Sequence, residues 1–554
     1  MKATELRKWR TLIKAGETER DRLIYKERHK LWLQWYESNF ADKIYLNLVF
    51  PYVRSLIPRV YFRNPQVSVS PVYPGTEHLA MVLEHVDNEL IERMNIKAVF
   101  RKAILEIPFK GTAVFKIGYG SEWLPPTITG EESDHMDSKG RKVEYNAYIE
   151  PDMPWVQRVH PEDFVVPEGT EDVHEAPWCA FRYWRPYEDI KRDPRFKNVS
   201  KIKPSFRQIL DQVTKQQEEW VQLYEIHDAR EQRVFITDMD NEVVLYEDDD
   251  TLQVDGLPVV VLTFNDRVNS MWGVPDIKIF EAQQAEMNDI RRQETKHRRA
   301  AVVKLLSERA NIDEVEANRL MSEDVGAIVT VGDINRIKPF VFPVPPEIWR
   351  EGEVIRADVR EMMGFSRNAM GEYEQKTART ATETLSVARS LEVRNYERRD
   401  LAADALKEII EKVNGIIFKH WTSDRVSRIA GPLGVPIWVR YTGPMLEGDY
   451  LVDIDPEDAA PMDREERLKR DLMAYKLFRQ DDMSNPIVLV RNVLRDLLGP
   501  RYVEALQLPR AILPEQAQNV LSAEELPAFF QAVSERLQQQ GAIAPVEGEA
   551  NAQV

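Results

Sequence analysis

Cysteine is nearly absent: Cys179 stands alone in 554 residues. A single thiol cannot close a disulfide within the chain or furnish a cysteine-rich zinc site, and such usage fits synthesis in a reducing cytoplasm. Long apolar runs are missing too. None approaches the ~18 residues of a membrane-spanning helix, and the opening MKATELRKWR has no apolar centre of the kind a secretory signal needs. Membrane insertion and secretion are therefore not expected. Positive charge is in deficit, with 75 Lys and Arg against 92 Asp and Glu and a net charge of −17. That balance argues against sequence-independent coating of DNA or of an anionic membrane, while leaving room for a local basic patch. The signatures of common catalysts are absent as well: no GxxxxGKS/T, no GxGxxG after a strand, no HExxH and no GxSxG.

Weaker candidates for chemistry fail on spacing. His78 and His85 share a helix face at best and have no third ligand nearby. Asp238, Asp240 and Glu242 resemble the start of a calcium loop, but Val243 stands where a glycine must turn the chain. Asp453, Asp455 and Asp458 fail likewise, with Asp458 at that glycine position and Arg464 where the closing carboxylate belongs. A hairpin tip and a solvated loop are the simpler readings. No cofactor, no metal and no enzymatic activity are expected.

What is present is ordinary globular composition, 43% hydrophobic and 30% charged. At ~150 residues per domain the length suggests two to four domains. Residues 1–40 carry a net charge of +4 and read as amphipathic helix through Leu23, Ile24, Leu31 and Trp35. NLVFPYVRSLIPRVYFRNPQVSVSP reads as a short helix feeding a strand. A helix is expected over 76–106, stopped by Pro108. From Gly111 to Pro258 the pattern turns to short strands, with helices near Tyr187–Arg192 and Ser205–Gln217, which predicts an α+β body with a meandering antiparallel sheet.

Helical period returns at Asp276 and runs to about Arg299, with Arg292, Lys296 and Arg299 on one face. A small mixed segment follows: a polar helix at Val315–Met321, the strand AIVTV, and IKPFVF. A helix over Glu347–Met363 places Ile348, Ile355, Val359 and Met362 on a packing seam. GFSRNAMGEYEQKTAR, Gly364–Arg379, has no apolar period and reads as a loop. Thr380 and Glu383 then have capping-box spacing, opening a helix to about Trp421 that would span ~60 Å and must cross the body or kink. GVPIWVRYTG and YLVDID read as strands returning to the earlier sheet. Helices close the chain at Asp463–Gln480, Asn485–Leu498, Arg501–Ala505 and Ala523–Gln540, before a polar end that reads as disordered.

The order of these parts resembles the portal proteins of tailed bacteriophages, the head-to-tail connector family. NLVFPYVRSLIPRVYFRNPQVSV looks like the family's opening segment. WVQLYEIHD, PVVVLTF and MWGVPDIKIFEAQQAEMNDIRRQ resemble its sheet leading into a stem helix, and TARTATETLSVARSLEVR resembles its loop and long helix. The resemblance implies a helix-rich α+β fold. Residues 1–275 would be N-terminal helices and a wing domain, 276–299 the first stem helix and 300–346 an αβ clip. A second stem helix would occupy 347–363, a tunnel loop 364–379 and a long kinked helix 380–421. Wing strands 422–462, a helical crown 463–540 and a tail 541–554 would complete the chain.

By the same resemblance the chain would form a homo-oligomeric ring, a dodecamer in the family, at one capsid vertex. The ring would pass double-stranded DNA during packaging and ejection. Partners implied are the terminase large subunit, a head-tail adaptor, the major capsid protein and a scaffold, with no membrane; the place is the virion, after synthesis in the host cytoplasm. Arg367, Asn368, Glu372, Gln375, Lys376 and Arg379 would line the channel from the tunnel loop, and Glu314, Glu316 and Glu323 would give the clip an acidic docking face. Arg292, Lys296 and Arg299 would form a basic stem face, either a solvated face paired with neighbouring carboxylates or a contact with DNA or the next subunit. A metal-dependent DNA-processing enzyme using the Asp453–Asp458 cluster is the alternative, though such chemistry requires carboxylates that converge on a metal.

Overall fold

The computed structural model describes residues 3–40, 45–60, 65–120, 153–204, 206–211, 216–240, 242–250, 252, 254–300, 304–306, 313–321, 333, 338–340, 347–364, 381–430, 436–454, 469, 472–473, 476 and 521–539. In chain order the first elements are α1 (Ala3–Leu23), α2 (Lys26–Tyr36), α3 (Val49–Val60), β1 (Val67–Pro71), α4 (Glu77–Arg93), α5 (Ile96–Lys110), β2 (Thr112–Tyr119), β3 (Pro154–Val159), β4 (Phe164–Val165), β5 (Trp178–Pro186) and α6 (Tyr187–Arg192). Next come β6 (Phe206–Asp211), β7 (Gln216–Asp228), β8 (Arg233–Asp238), β9 (Val243–Asp249), β10 (Val259–Thr263), α7 (Asp276–Ile279) and α8 (Glu281–Ala300). The remainder are β11 (Lys304–Leu306), α9 (Glu314–Met321), β12 (Lys338–Phe340), α10 (Glu347–Met363), α11 (Ala381–His420), β13 (Arg425–Ala430), β14 (Pro436–Tyr441), α12 (Gly443–Leu446), β15 (Tyr450–Ile454), β16 (Leu521–Ser522) and α13 (Leu526–Gln539). This is a mixed α+β chain. Among the described residues no helix is long and apolar enough to cross a membrane.

Two compact units divide the chain. One takes Met1–Glu27, Leu56–Pro275 and Arg394–Val554; the other takes Arg28–Ser55 and Asp276–Val393.

The first unit is built on an antiparallel sheet in the order β4-β5-β7-β8-β9, with β6 paired to the start of β7. Alternation along β5 sends neighbours to opposite faces. Trp178 and Ala180 meet Leu6, Trp9 and Ile13 of α1, where the Trp9 ring stands edge-on to Trp178 and Phe235 at 5.4 and 5.3 Å. Cys179 and Phe181 face the other way, into a core shared with Val114 of β2, Val259 of β10 and Trp272. Those strands belong to a three-stranded antiparallel sheet, β10-β2-β3. Farther along the sheet, α6 and the turns after it cover Val221, Leu223 and Ile236 with Ile190, Phe196 and Ile202. Both faces of this antiparallel sheet are thus covered over its central part, while the end of β9 is exposed.

Several expectations are corrected. The expected helix at Ser205–Gln217 is the β6 strand and the start of β7: residues 206–211 pair with Gln216–Trp220, because an available sheet edge overrides a weak helical propensity. The single helix over 76–106 is two, broken where Asn95 adopts φ 52°, a left-handed conformation that asparagine tolerates better than most residues. Pro108 does not end α5; it sits in the last turn, and Gly111 caps the helix with φ 78° and an N–H bonded to Ile107 O at 2.7 Å. The helix expected from Asp276 is interrupted at Phe280 into α7 and α8.

The late strands do not rejoin the main sheet. β15 pairs antiparallel with β1, whose backbone N–H groups at Val67 and Val69 donate to Asn88 and Glu84 of α4. β14 instead sits between β13 and a parallel β16. Each pair has its own apolar face to bury, against α4 for β1 and β15, so the earlier sheet is not required. Neither β13 nor β16 was expected. The capping box of Ser522 and Glu525 opens the turn into α13. Helix α11 runs through 40 residues, and Ala402, Leu406, Ile409, Val413 and Ile416 are buried on the spacing expected of them. Thr380, the AIVTV segment and the helices expected between Asp463 and Ala505 fall wholly or largely outside the described residues, as does the end after Gly541.

Candidate functional site

The second unit holds the two helices that bracket the small mixed segment. Helix α8 offers Met287 and Ile290 on one stripe, one turn apart, and α10 offers Ile355; the three form a buried cluster to which Leu46 and Leu48 add. Gly352 of α10 lies beside Met287, whose sulfur would be in ordinary van der Waals contact, 3.9 Å, with a Cβ at that position. Residues Arg28–Ser55, expected with the wing, fall with these helices instead. A polar ladder shows how. Buried Gln284 donates to Leu46 O at 2.8 Å and to Asn288 Oδ1 at 3.1 Å, and accepts from Leu48 N at 2.8 Å. The ladder satisfies backbone groups of an extended segment laid along α8. Nothing in the i, i+4 spacing of Gln284 and Asn288 distinguishes them from ordinary helix surface, so sequence reading passed over them.

Of the seam residues, Ile355 and Val359 are buried and Met362 is half-buried; the side chain of Ile348 is outside the described set. The stripe was expected to be a packing seam. Ile355 is covered within the chain, while Val354 on α10 is 56% exposed. An Ile355→Asp substitution is therefore expected to destabilise the chain itself, by about 3 kcal/mol or more, since a carboxylate would enter the Met287–Ile290 contact without a partner. Denaturant unfolding checks this. An unchanged midpoint would mean that the covered stripe contributes little.

Charge decorates the same helices. Arg292 is exposed and pairs with Asp289 at 3.1 Å, Arg291 pairs with Glu294 at 2.9 Å, and Lys296 and Arg299 are exposed near the end of α8. The bland reading of a solvated, paired face therefore describes Arg292. Between α8 and α10, β11 and β12 pair antiparallel with Leu305 opposite Pro339. Glu314 is exposed and Glu316 half-exposed on α9, whose first N–H is capped by Asp313 at 2.9 Å. Glu323 lies outside the described residues, as do Arg367, Asn368, Glu372, Gln375, Lys376 and Arg379.

The carboxylate clusters resolve differently. Asp238 is buried at the end of β8, and Glu242, at φ 52°, turns the hairpin and pairs with Arg7 and Arg10 of α1, both at 3.2 Å. Asp453 is exposed on β15, and Asp455 and Asp458 lie outside the described residues. Among the described residues no three His, Cys, Asp or Glu side chains gather closely enough to hold a metal ion. Cys179 is fully buried, and burial pushes its thiol far up, which keeps it from acting as a nucleophile at neutral pH.

No family model matches the chain, and no curated protein matches it. Among solved structures, it is similar to a chain of the "Virion of native gene transfer agent (GTA) particle", with 10% identity, 84% of this chain and 93% of that chain covered, and a TM-score of 0.40.

Proposed function

We propose that this chain is a portal protein of a tailed bacteriophage or a phage-like particle, a non-enzymatic ring subunit through which double-stranded DNA passes. The observation that carries the reading is the helix pair α8 and α10, packed through Met287, Ile290 and Ile355, bracketing β11, α9 and β12 and followed in sequence by a 40-residue helix. It is supported by the resemblance of the segments around Pro51, Met271 and Thr377 to portal sequences. In this reading α8 and α10 form the stem and 300–346 the clip. Residues 364–379 are the tunnel loop facing DNA, and the unit built on the antiparallel sheet is the wing. Acidity suits a conduit, since many fixed phosphate contacts would hold the duplex rather than let it slide. The acidic α9 segment serves as the docking face for the terminase large subunit and later for an adaptor.

Electron microscopy of the purified protein is expected to show a closed ring with a central channel. Glu314→Lys, Glu316→Lys and Glu323→Lys together are expected to leave that ring intact while slowing or abolishing its association with the cognate terminase, an effect that grows as salt is lowered. A monomer under all conditions would overturn the portal reading; an intact ring with unchanged terminase binding at low salt would move the docking face elsewhere.

A further inference from the structure

Most buried ionic groups in the wing have partners of opposite charge. Asp87 does not: its carboxyl, on the buried face of α4, is fully enclosed and meets the amide of Asn414 on α11, itself only 5% exposed. Asn414 Nδ2 donates to Asp87 Oδ2 at 3.1 Å. The other oxygen of each residue, Asp87 Oδ1 and Asn414 Oδ1, is buried without a hydrogen-bond partner. Two enclosed acceptors left over from one pair are costly, because neither has exchanged its water for anything. Rotating the amide does not help, since it would set Asn414 Oδ1, in place of the donor, against Asp87 Oδ2.

One proton resolves both atoms. We propose that Asp87 carries its proton, that Asp87 Oδ1–H donates to Asn414 Oδ1, and that the resulting carboxylic acid–carboxamide pair is a pH-sensitive lock between α4 and α11. The ring closes with two hydrogen bonds and no net charge, which suits an apolar helix contact. Loss of the proton removes one of the two bonds and leaves a carboxylate enclosed.

The surroundings favour the neutral form. Burial pushes the carboxyl up, the Asn414 hydrogen bond opposes this, and the like charge of Glu84 one turn away adds to it, for a value of about 8. Of the elements packed on α4, β1 and α12 have no ionisable side chain. Tyr441 on β14 is kept protonated by burial, and the nearby Glu89 charge acts the same way. The nearby cations are engaged: Arg93 pairs with Glu89 at 2.7 Å, Arg425 of β13 lies over the Trp421 ring at 3.9 Å, and Lys110 of α5 holds Glu106 at 2.6 Å. On α5, Lys97, Arg101 and Lys102 are exposed, as are Glu524 and Glu525 beside β16. On α11 itself, Glu411 is itself raised by burial, and Lys412 turns to Leu257 O at 2.8 Å.

The sign follows from linkage. The folded carboxyl holds its proton well above the ordinary value of 3.8, so its contribution is complete below about pH 4 and is lost as pH rises toward about 8. Over that window each unit of pH lowers the folded-to-unfolded ratio about tenfold through this group alone.

Infrared spectroscopy tests it on the unaltered protein. Protein labelled with carbon-13 in its aspartate carboxyls is expected to show, at pH 6, a protonated carboxyl stretch that shifts on labelling and disappears with a midpoint near pH 8. Asp87→Asn, which replaces the acid by a near-isosteric amide, is expected to remove that band and to flatten the pH dependence of hydrogen exchange in α4 and α11. A labelled spectrum with no such band at pH 6, or one whose band disappears in the ordinary carboxylate range, overturns the proposal. So does a band that survives in a folded Asp87→Asn variant.

Discussion

Replacing Lys116 with Met is expected to destabilise the chain by about 3–5 kcal/mol, the usual cost of stranding a buried charge by removing its partner. Lys116 on β2 and Glu225 on β7 are joined across the core of the first unit, both nearly inaccessible, and the second Glu225 oxygen is held by His227 at 2.6 Å. The ammonium also lies 4.7 Å from the Phe181 ring centroid. Substituting Met keeps the aliphatic stem and leaves the carboxylate enclosed with His227 alone. The double variant Lys116→Met with Glu225→Leu is expected to recover most of the loss, because a buried pair is worth little more than apolar packing of the same volume. Urea unfolding of the single and double variants separates the two effects; equal losses would show that the pair itself, rather than the stranded charge, sets the stability.

The same triad has a pH signature opposite to that of Asp87. Burial raises the Glu225 carboxyl, but the Lys116 ammonium and the His227 ring outweigh it and hold the carboxyl below its ordinary value. Its contribution is therefore present above the unfolded carboxylate range near pH 4 and lost as pH falls through the lower folded value. Acid unfolding should weaken in Glu225→Leu combined with Lys116→Met, whereas Asp87→Asn should leave the acid limb in place.

Gly111→Ala is expected to cost about 3 kcal/mol or more. Gly111 ends α5 at φ 78°, and an added Cβ would stand 2.3 Å from Gly273 O and 2.7 Å from its carbonyl carbon, both backbone atoms that cannot rotate away. Left-handed strain of ~1–2 kcal/mol thus combines with overpacking of ~1–3 kcal/mol. The contact is fixed from the far side as well, since Gly273 N donates to Thr112 Oγ1 at 3.0 Å. Gly256→Ala is the control: φ is 75° there, but nothing lies within 4 Å of the new Cβ, so only the backbone strain should register. Thermal unfolding of the two variants would show equal shifts if the Gly111–Gly273 approach were unimportant.

Periodicity carried the long elements. Helix α10 spans the range its apolar spacing predicted, and the buried residues of α11 are the ones spaced by four and three, because a helix must put its apolar stripe against something. The resemblance behind the portal proposal lay in the order of segments, which is legible without coordinates. The Ser205–Gln217 stretch was not legible: its Arg, Gln, Leu and Lys residues suit a helix locally, and only the edge of β7 makes part of it a strand. The candidate site was partly legible, since Ile355 and the acidic α9 residues could be read as seam and surface. Which neighbour covers Ile355 could not be, because Met287 and Leu46 are remote in sequence.

Composition and spacing alone settle that this chain has no internal disulfide, no apolar run long enough for a membrane-spanning helix and an alternation of helical and strand segments, since each is a property of residue counts and short-range period. Tertiary structure decides the pairings: that Glu225 meets Lys116, that Asp87 meets Asn414 across 327 positions, and that Gly111 must leave room for Gly273. Each depends on atoms from separate elements sharing one enclosed volume. There the loss of water makes a proton, a charge or a methyl group worth kilocalories that the same residue would not register in an exposed chain.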